Sequence, residues 1–340
     1  MKCVGLVVYT SKMISRIVYN GCLALISVLI CVGVAETLTR GFYHFVPNYD
    51  FEMWKYGSEL KQPLPDEKLP FHHFPDKSGT YYGVEIRTNS LGFRDEERPL
   101  SKPRGKKRVL VLGDSFALGW GVSADNVFSK KLEQLLNAVS PGYEVINMGI
   151  GNYNSSMEVE LLKRKGLSLD PDMIIMLYFA NDMEPTPKID SLSYALFKHL
   201  YLPGFFAMRL NQLLTEKSGG DVLMAYYRKL YSPDSPSLAM NSQAIRELAG
   251  ICTNRKIEAL IVNIPELRKL DPYPFSFATT HIRELARETG LPFHDLLPVF
   301  QKHGGISLWV SPEDPHMNAL ANSLAAESVF EIMTKARSVE

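Results

Sequence analysis

The sequence offers no net charge: 37 Lys+Arg stand against 37 Asp+Glu. No global field draws the chain to a polyanion, so nucleic acid is not an expected partner. Cysteine is scarce as well. Of the four, Cys3, Cys22 and Cys31 lie in or before an apolar stretch near the amino terminus, which leaves Cys252 alone in the rest of the chain. No internal disulfide can form there, and a lone thiol excludes a thiolate zinc site. Other metal sets are missing too: His72 and His73 are adjacent, point apart on a strand and have no partner ligands at suggestive spacing, so they read as a surface or loop pair. The 23 Gly and 21 Pro are scattered, and 46% of the residues are hydrophobic against 22% charged. Collagen, coiled coil and disorder are thereby poor descriptions of a globular composition. A length of 340 residues fits one large or two modest domains.

What the amino terminus has is a run without charge. Ile17 to Ala35 contains no Asp, Glu, Lys or Arg and as a helix spans roughly 28 Å, close to the apolar thickness of a bilayer. Lys2, Lys12 and Arg16 precede it with no acidic residue among them, which predicts a cytoplasmic tail over 1–16, a single transmembrane helix over 17–35 and an extracytoplasmic remainder. Gly33-Val34-Ala35 would suit a signal-peptidase site, but the apolar stretch is longer than a usual signal core, so an uncleaved anchor is expected. No lipobox surrounds Cys22 or Cys31. Residues 36–107 read as an extended, partly packed preamble, with Pro47, Pro63, Pro65, Pro70 and Pro75 breaking any helix. Within it Tyr81 to Arg87 reads as a strand and the stretch Asn89-Ser90-Leu91-Gly92-Phe93-Arg94-Asp95 as a turn. Ser101 to Arg108 reads as a solvated basic connector.

From Arg108 onward short apolar runs alternate with helical periods. Val109–Leu112, Tyr143–Asn147, Met173–Phe179 and Ile257–Ile264 are continuous enough in apolar residues to be buried parallel strands. Phe128–Val139, Ser156–Gly166, Ser242–Asn254, Phe277–Gly290 and Asn318–Arg337 supply helices, several opened by Ser or Asn caps. The expected fold over 108–340 is a three-layer α/β/α domain with a central parallel sheet, flavodoxin-like in kind. The stretch 183–240 carries Pro185, Pro187, Pro203, Pro233 and Pro236 among aromatic-rich helical pieces and reads as an insertion near the carboxyl ends of the strands, where such sheets bind ligands.

The first strand runs directly into Gly113-Asp114-Ser115-Phe116. A serine there sits at the rim of the sheet where the chain turns toward a helix, with its backbone N–H exposed, a position that suits a nucleophile and equally an ordinary cap. The second strand ends in Asn147-Met148-Gly149-Ile150-Gly151-Asn152-Tyr153-Asn154, whose N–H groups could face an oxyanion, and the third in Phe179-Ala180-Asn181-Asp182, whose amide could donate to the same oxygen. Pro312-Glu313-Asp314-Pro315-His316 forms a loop before the last helix. Each lies at the carboxyl edge of a strand or in the loop after the last one, so all four can converge.

In their order these blocks make the chain resemble the SGNH/GDSL hydrolase superfamily, and the stretch from Tyr81 to Arg98 is similar to membrane-anchored bacterial members. The resemblance implies a catalytic triad of Ser115, Asp314 and His316, with an oxyanion hole from Ser115, Gly151 and Asn181. Two departures leave alternatives. The block-two donor stays open between Gly149, Gly151 and Asn152, and Glu313 could orient the imidazole in place of Asp314. Phe179 also replaces a Gly common in the third block, which narrows the pocket. Asp182 and Asn154 are expected to make structural hydrogen bonds in the site walls.

The implied chemistry is acyl transfer: His316 takes the Ser115 proton, an acyl-serine forms, and water releases the acid. No step requires a metal or organic cofactor. The location and the aromatic-rich insertion point to an ester substrate such as an O-acetyl group on an exported glycan. The alternatives are an O-acetyltransferase using the same serine and a non-catalytic, membrane-tethered glycan-binding protein.

Overall fold

The computed structural model describes residues 2–46, 48–188, 198–215 and 219–337. Pro47 and parts of the 183–240 stretch therefore lie outside the described residues. The chain opens on α1 (Lys2–Phe45), within which Ser15–Tyr43 is long and apolar enough to cross a membrane, its apolar window unburied against the rest of the protein. It continues into α2 (Tyr49–Leu60), β1 (Lys61–Pro63), β2 (Phe71–His73), β3 (Ser78–Tyr81) and β4 (Val84–Arg87).

The preamble is thus folded rather than extended. The prolines flank α2 instead of interrupting it, and the Asn48 side chain caps its first turn by accepting the Phe51 N–H at 3.2 Å. Strands β1 and β2 form one antiparallel hairpin, β3 and β4 another. His72 and His73 do point apart on β2, but His73 is fully buried, not a surface residue. Tyr56, Leu60, Tyr81 and Ile86 make a small core whose other members, Leu118 and Trp120, come from the segment after the candidate nucleophile. Aromatic faces and edges fill this core because they bury large areas in few residues.

The remaining elements, in order, are β5 (Lys107–Gly113), α3 (Ser115–Leu118), α4 (Phe128–Val139), β6 (Tyr143–Asn147), α5 (Ser155–Arg164), β7 (Met173–Tyr178), α6 (Tyr201–Thr215), α7 (Gly219–Leu230) and α8 (Pro236–Arg255). Then follow β8 (Glu258–Asn263), α9 (Ser276–Thr289), β9 (Phe293–Asp295), α10 (Leu297–Gln301), β10 (Trp309–Ser311), β11 (Asp314–Met317) and α11 (Ala319–Arg337). Five parallel strands pair in the order β6-β5-β7-β8-β9, with helices on both faces. Alternation along β5 explains the two cores: Val109 and Val111 face Phe128 and Leu132 of α4 and Val329 of α11. Leu110 and Leu112 face Met157 and Leu161 of α5, Ile245 of α8 and Ile282 of α9. Each such side chain contributes about 1.5–3 kcal/mol by leaving water.

Three expectations change. Helix α8 begins at Pro236, so the end of the 183–240 insertion is already core helix; proline suits a first turn, where its missing N–H costs nothing. Strand β9 was not expected, because His294 and Asp295 mask it. Arg108 is no part of a solvated connector: it is fully buried, donating from Nε to Glu144 at 2.7 Å and to the carbonyls of Pro99, Leu100 and Leu169. Those acceptors satisfy a guanidinium that burial would otherwise disfavour.

Candidate active site

Strand β5 delivers Ser115 to the sheet edge through Gly113, whose φ of +151° and close approach to Ala117 and Leu177 leave no room for a Cβ. Asp114 then caps α3, its Oδ1 accepting the Phe116 N–H at 2.9 Å. Opposite stands a hairpin where a loop was expected: β11 pairs antiparallel with β10. On a strand, residues two apart share a face, so Asp314 and His316 point together while Glu313 lies exposed.

The resulting contacts are continuous. Ser115 Oγ lies 2.9 Å from His316 Nε2, and His316 Nδ1 lies 2.6 Å from Asp314 Oδ1. The other Asp314 oxygen accepts the Trp120 indole N–H at 2.9 Å, and the carboxyl is wholly buried. Ser115 and His316 are 5% and 7% exposed, with the imidazole between the rings of Phe116 and Tyr49 at 4.8 and 5.5 Å. Phe179, in place of the block-three glycine, packs its ring on Phe116 at 4.4 Å. This arrangement can pass a hydroxyl proton to an imidazole held in the required tautomer.

Asn181 and Ser115 share Asp114. Asn181 Nδ2 donates to Asp114 Oδ2 at 2.8 Å, and Ser115 Oγ lies 3.2 Å from the same oxygen, so the single hydroxyl proton serves either Asp114 or His316 at one time. The carboxylate occupies one amide N–H of Asn181 and leaves the second for a ligand. Asp182 is buried and accepts the Phe179 N–H at 3.1 Å; burial, then the neighbouring Glu158, raises its pKa well above the usual carboxylate range. Asn154 caps α5 and donates to the Glu184 carbonyl.

The block-two turn departs from expectation. Gly149 donates to Asn147 Oδ1 at 2.9 Å, and a Cβ there would stand 2.2 Å from the Leu118 nitrogen. The Gly151 N–H is not free for an oxyanion: it donates to Tyr56 Oη at 3.0 Å. The Asn152 N–H has no partner among the described residues, and Asn152 takes the left-handed conformation at φ +64°, which asparagine tolerates better than most residues. Asn152 and Asn181 both line a cleft of about 420 Å³, together with Lys61, Phe71, Asn154 and Glu184. Neither that cleft nor a larger cavity of about 470 Å³, between Asp76, Arg94 and Lys130, has a triad residue in its wall, but the cleft alone includes the block-two and block-three residues Asn152 and Asn181.

Sequence reasoning missed the preamble's share of this site. Tyr56 and Lys61 reach the block-two turn, His73 backs Tyr56, Tyr49 covers His316, and Tyr82 Oη meets Ser311 of β10 at 2.7 Å. Arg94 donates to the carbonyls of Leu118, Gly119 and Val122 just after α3. The only available signal was the density of aromatic residues between the prolines.

A parallel α/β/α sheet with a serine, an imidazole and a carboxylate at its edge defines a serine hydrolase. Residues 111–324 match the GDSL-like lipase/acylhydrolase family, more than half of the chain. The chain belongs to that family and is a serine ester hydrolase. Among solved structures it is similar to a two-domain esterase active on acetylated mannans, at 15% identity and TM-score 0.45 over 68% of this chain and 50% of that one. It is also similar to an acetyl xylan esterase (15%, TM-score 0.43, 66% and 98% covered) and to the lipase/acylhydrolase from Enterococcus faecalis (12%, TM-score 0.43, 68% and 96%). The chain thus spans half the length of the two-domain esterase. No curated protein matches it.

Proposed function

We propose that the protein hydrolyses an O-acyl ester, an O-acetyl group on an extracytoplasmic glycan, through an acyl-serine on Ser115. His316 takes the hydroxyl proton and returns it to the leaving alcohol, and Asp314 holds the imidazole and stabilises its charge. The Ser115 and Asn152 backbone N–H groups and the Asn181 amide receive the oxyanion, each worth on the order of 3 kcal/mol of barrier. The carrying observation is the unbroken contact chain Ser115–His316–Asp314. A polar substrate is supported by the cleft wall, where Asn152, Asn154, Asn181 and Glu184 offer hydrogen bonds. The insertion's aromatics lend less support than expected, since Tyr227 and Tyr231 turn inward onto Phe275 and Phe277.

The test is hydrolysis of aryl acetates and an acetylated polysaccharide by the full chain in detergent. Ser115→Ala removes the activity, Asp314→Asn lowers kcat by about 10⁴-fold, and Glu313→Gln stays within about two-fold. Equal rates for the parent and Ser115→Ala would end the reading. The near burial of Ser115 and His316 under Tyr49, Phe116 and Trp120 restricts water and favours a second reading, transfer of the acyl group to a sugar hydroxyl. Partition of product between free acetate and acetylated acceptor separates the two.

We further propose that α1 is an uncleaved anchor with the catalytic domain on the extracytoplasmic side. Beyond the apolar span the helix runs without a break into the domain: Glu36 accepts the N–H groups of Tyr201 and Leu202 at 2.8 Å each, and Tyr43 stacks on Phe51 at 3.7 Å. Ring contacts link Phe42, Tyr43, Phe205 and Phe206, so the exposed Phe206 and Leu210 of α6 continue the apolar surface of α1. Protease added to spheroplasts should digest the domain; digestion only in inverted vesicles would reverse the topology.

A further inference from the structure

Lys61, the first residue of β1, is 7% exposed. Its Nζ donates to the Gly151 carbonyl at 2.5 Å and to Asn152 Oδ1 at 2.8 Å, and lies 4.3 Å from the Phe71 ring centroid and 4.9 Å from that of Tyr56. The Gly151 carbonyl and the Asn152 N–H are the two ends of one peptide group. Resonance couples them: a cation on the oxygen draws density from the nitrogen and makes the N–H more positive, as in any polarised hydrogen-bond chain.

The preceding peptide is held as well. His73 Nδ1 faces the Gly92 carbonyl at 3.1 Å and therefore carries the proton, its Nε2 accepts from Tyr56 Oη at 2.5 Å, and Tyr56 Oη accepts the Gly151 N–H. The N–H groups of Met148, Gly149, Ile150, Gly151 and Tyr153 are all taken, while the Asn152 N–H has no partner among the described residues.

We propose that Lys61 is a positioning residue of the oxyanion hole: its ammonium, held on the Gly151 carbonyl, polarises the Gly151–Asn152 peptide and strengthens the Asn152 N–H toward the oxyanion formed on Ser115. This rests on the esterase reading above. Burial brings the Lys61 pKa down to about 7, opposed by the Asp114 carboxylate. Burial holds His73 neutral, with a pKa of about 3, and raises that of the Tyr56 phenol. Glu184, across the cleft, has its pKa raised by burial. The ammonium is therefore present below about pH 7 and lost above it, and the strengthened donor goes with it.

The experiment is the pH profile of kcat and KM for aryl acetate hydrolysis by the full chain, with Lys61→Met, Lys61→Arg and Ser115→Ala. The parent should show kcat falling as pH rises beyond about 7. Lys61→Met should lose about 10- to 100-fold in kcat below pH 7 with KM within about two-fold, and lose the alkaline fall. Lys61→Arg, charged throughout, should keep most of kcat and also lose the fall. A Lys61→Met kcat within two-fold of the parent's, or an alkaline fall that persists unchanged in Lys61→Arg, overturns the proposal. If Lys61→Met fails to fold, the Lys61→Arg profile decides by the same criterion. An active Ser115→Ala would instead sink the esterase reading, whereas an inactive one beside a normal Lys61→Met sinks this proposal alone.

Discussion

The preamble and the insertion are both proline- and aromatic-rich additions to one α/β core, yet they do opposite things. Tyr49, Tyr56, Lys61, Tyr82 and Arg94 of the preamble turn inward and end on the loops that carry Ser115, Gly151 and His316, with His73 behind Tyr56. The insertion packs Tyr227 and Tyr231 against its neighbours but leaves Phe206 at 62% and Leu210 at 59% exposure on α6. A segment whose polar groups are buried must match partners atom for atom, whereas one that leaves apolar rings outside places no such demand on the catalytic loops. The preamble therefore belongs to the catalytic unit, and the insertion borders it.

Arg94→Leu breaks the comparison most severely. It strips donors from the buried carbonyls of Leu118, Gly119 and Val122 and from that of Glu85, and the expected loss is about 3 kcal/mol of stability, read by denaturant unfolding, with a fall in kcat as the segment after Ser115 loosens. A loss under about 0.5 kcal/mol would demote the preamble to packing material.

His73 gives the next effect. Burial, then Lys61, holds its folded-state pKa near 3 against 6.5 for the ordinary imidazole. Between those values the unfolded chain binds the extra proton, so stability falls as pH drops from about 6.5 toward 3, by up to about 1.4 kcal/mol per unit. Comparing melting across that window with His73→Gln should show a shallower dependence in the variant. Phe206→Ala is the smallest: exposed, it should shift stability by no more than about 0.5 kcal/mol and leave kcat unchanged. A large loss of kcat there would make the insertion part of the catalytic unit after all.

The sheet was legible because burial on both faces writes continuous apolar runs such as Val109–Leu112 and Met173–Tyr178, and the blocks after them stand at strand ends. Asp314 over Glu313 needed one fact, that His316 sits on a strand, and Pro315 between them hid it. Lys61, Tyr56 and His73 were not legible, since their partners at Gly151 and Gly92 lie far along the chain and a buried Lys or His reads by default as a surface residue. Arg108 failed for the same reason inside a basic run. The block-two donor could not be read from glycines alone, because Gly149 and Gly151 are there for close approach to Leu118 and Tyr56.

The most direct measurement is mass spectrometry of the full chain after reaction with an aryl phosphonate that mimics the tetrahedral adduct. One adduct per chain should form on the peptide containing Ser115, much more slowly in His316→Ala and not at all in Ser115→Ala. An unlabelled Ser115 in a folded, ester-cleaving protein, or an adduct on another residue, would contradict the account.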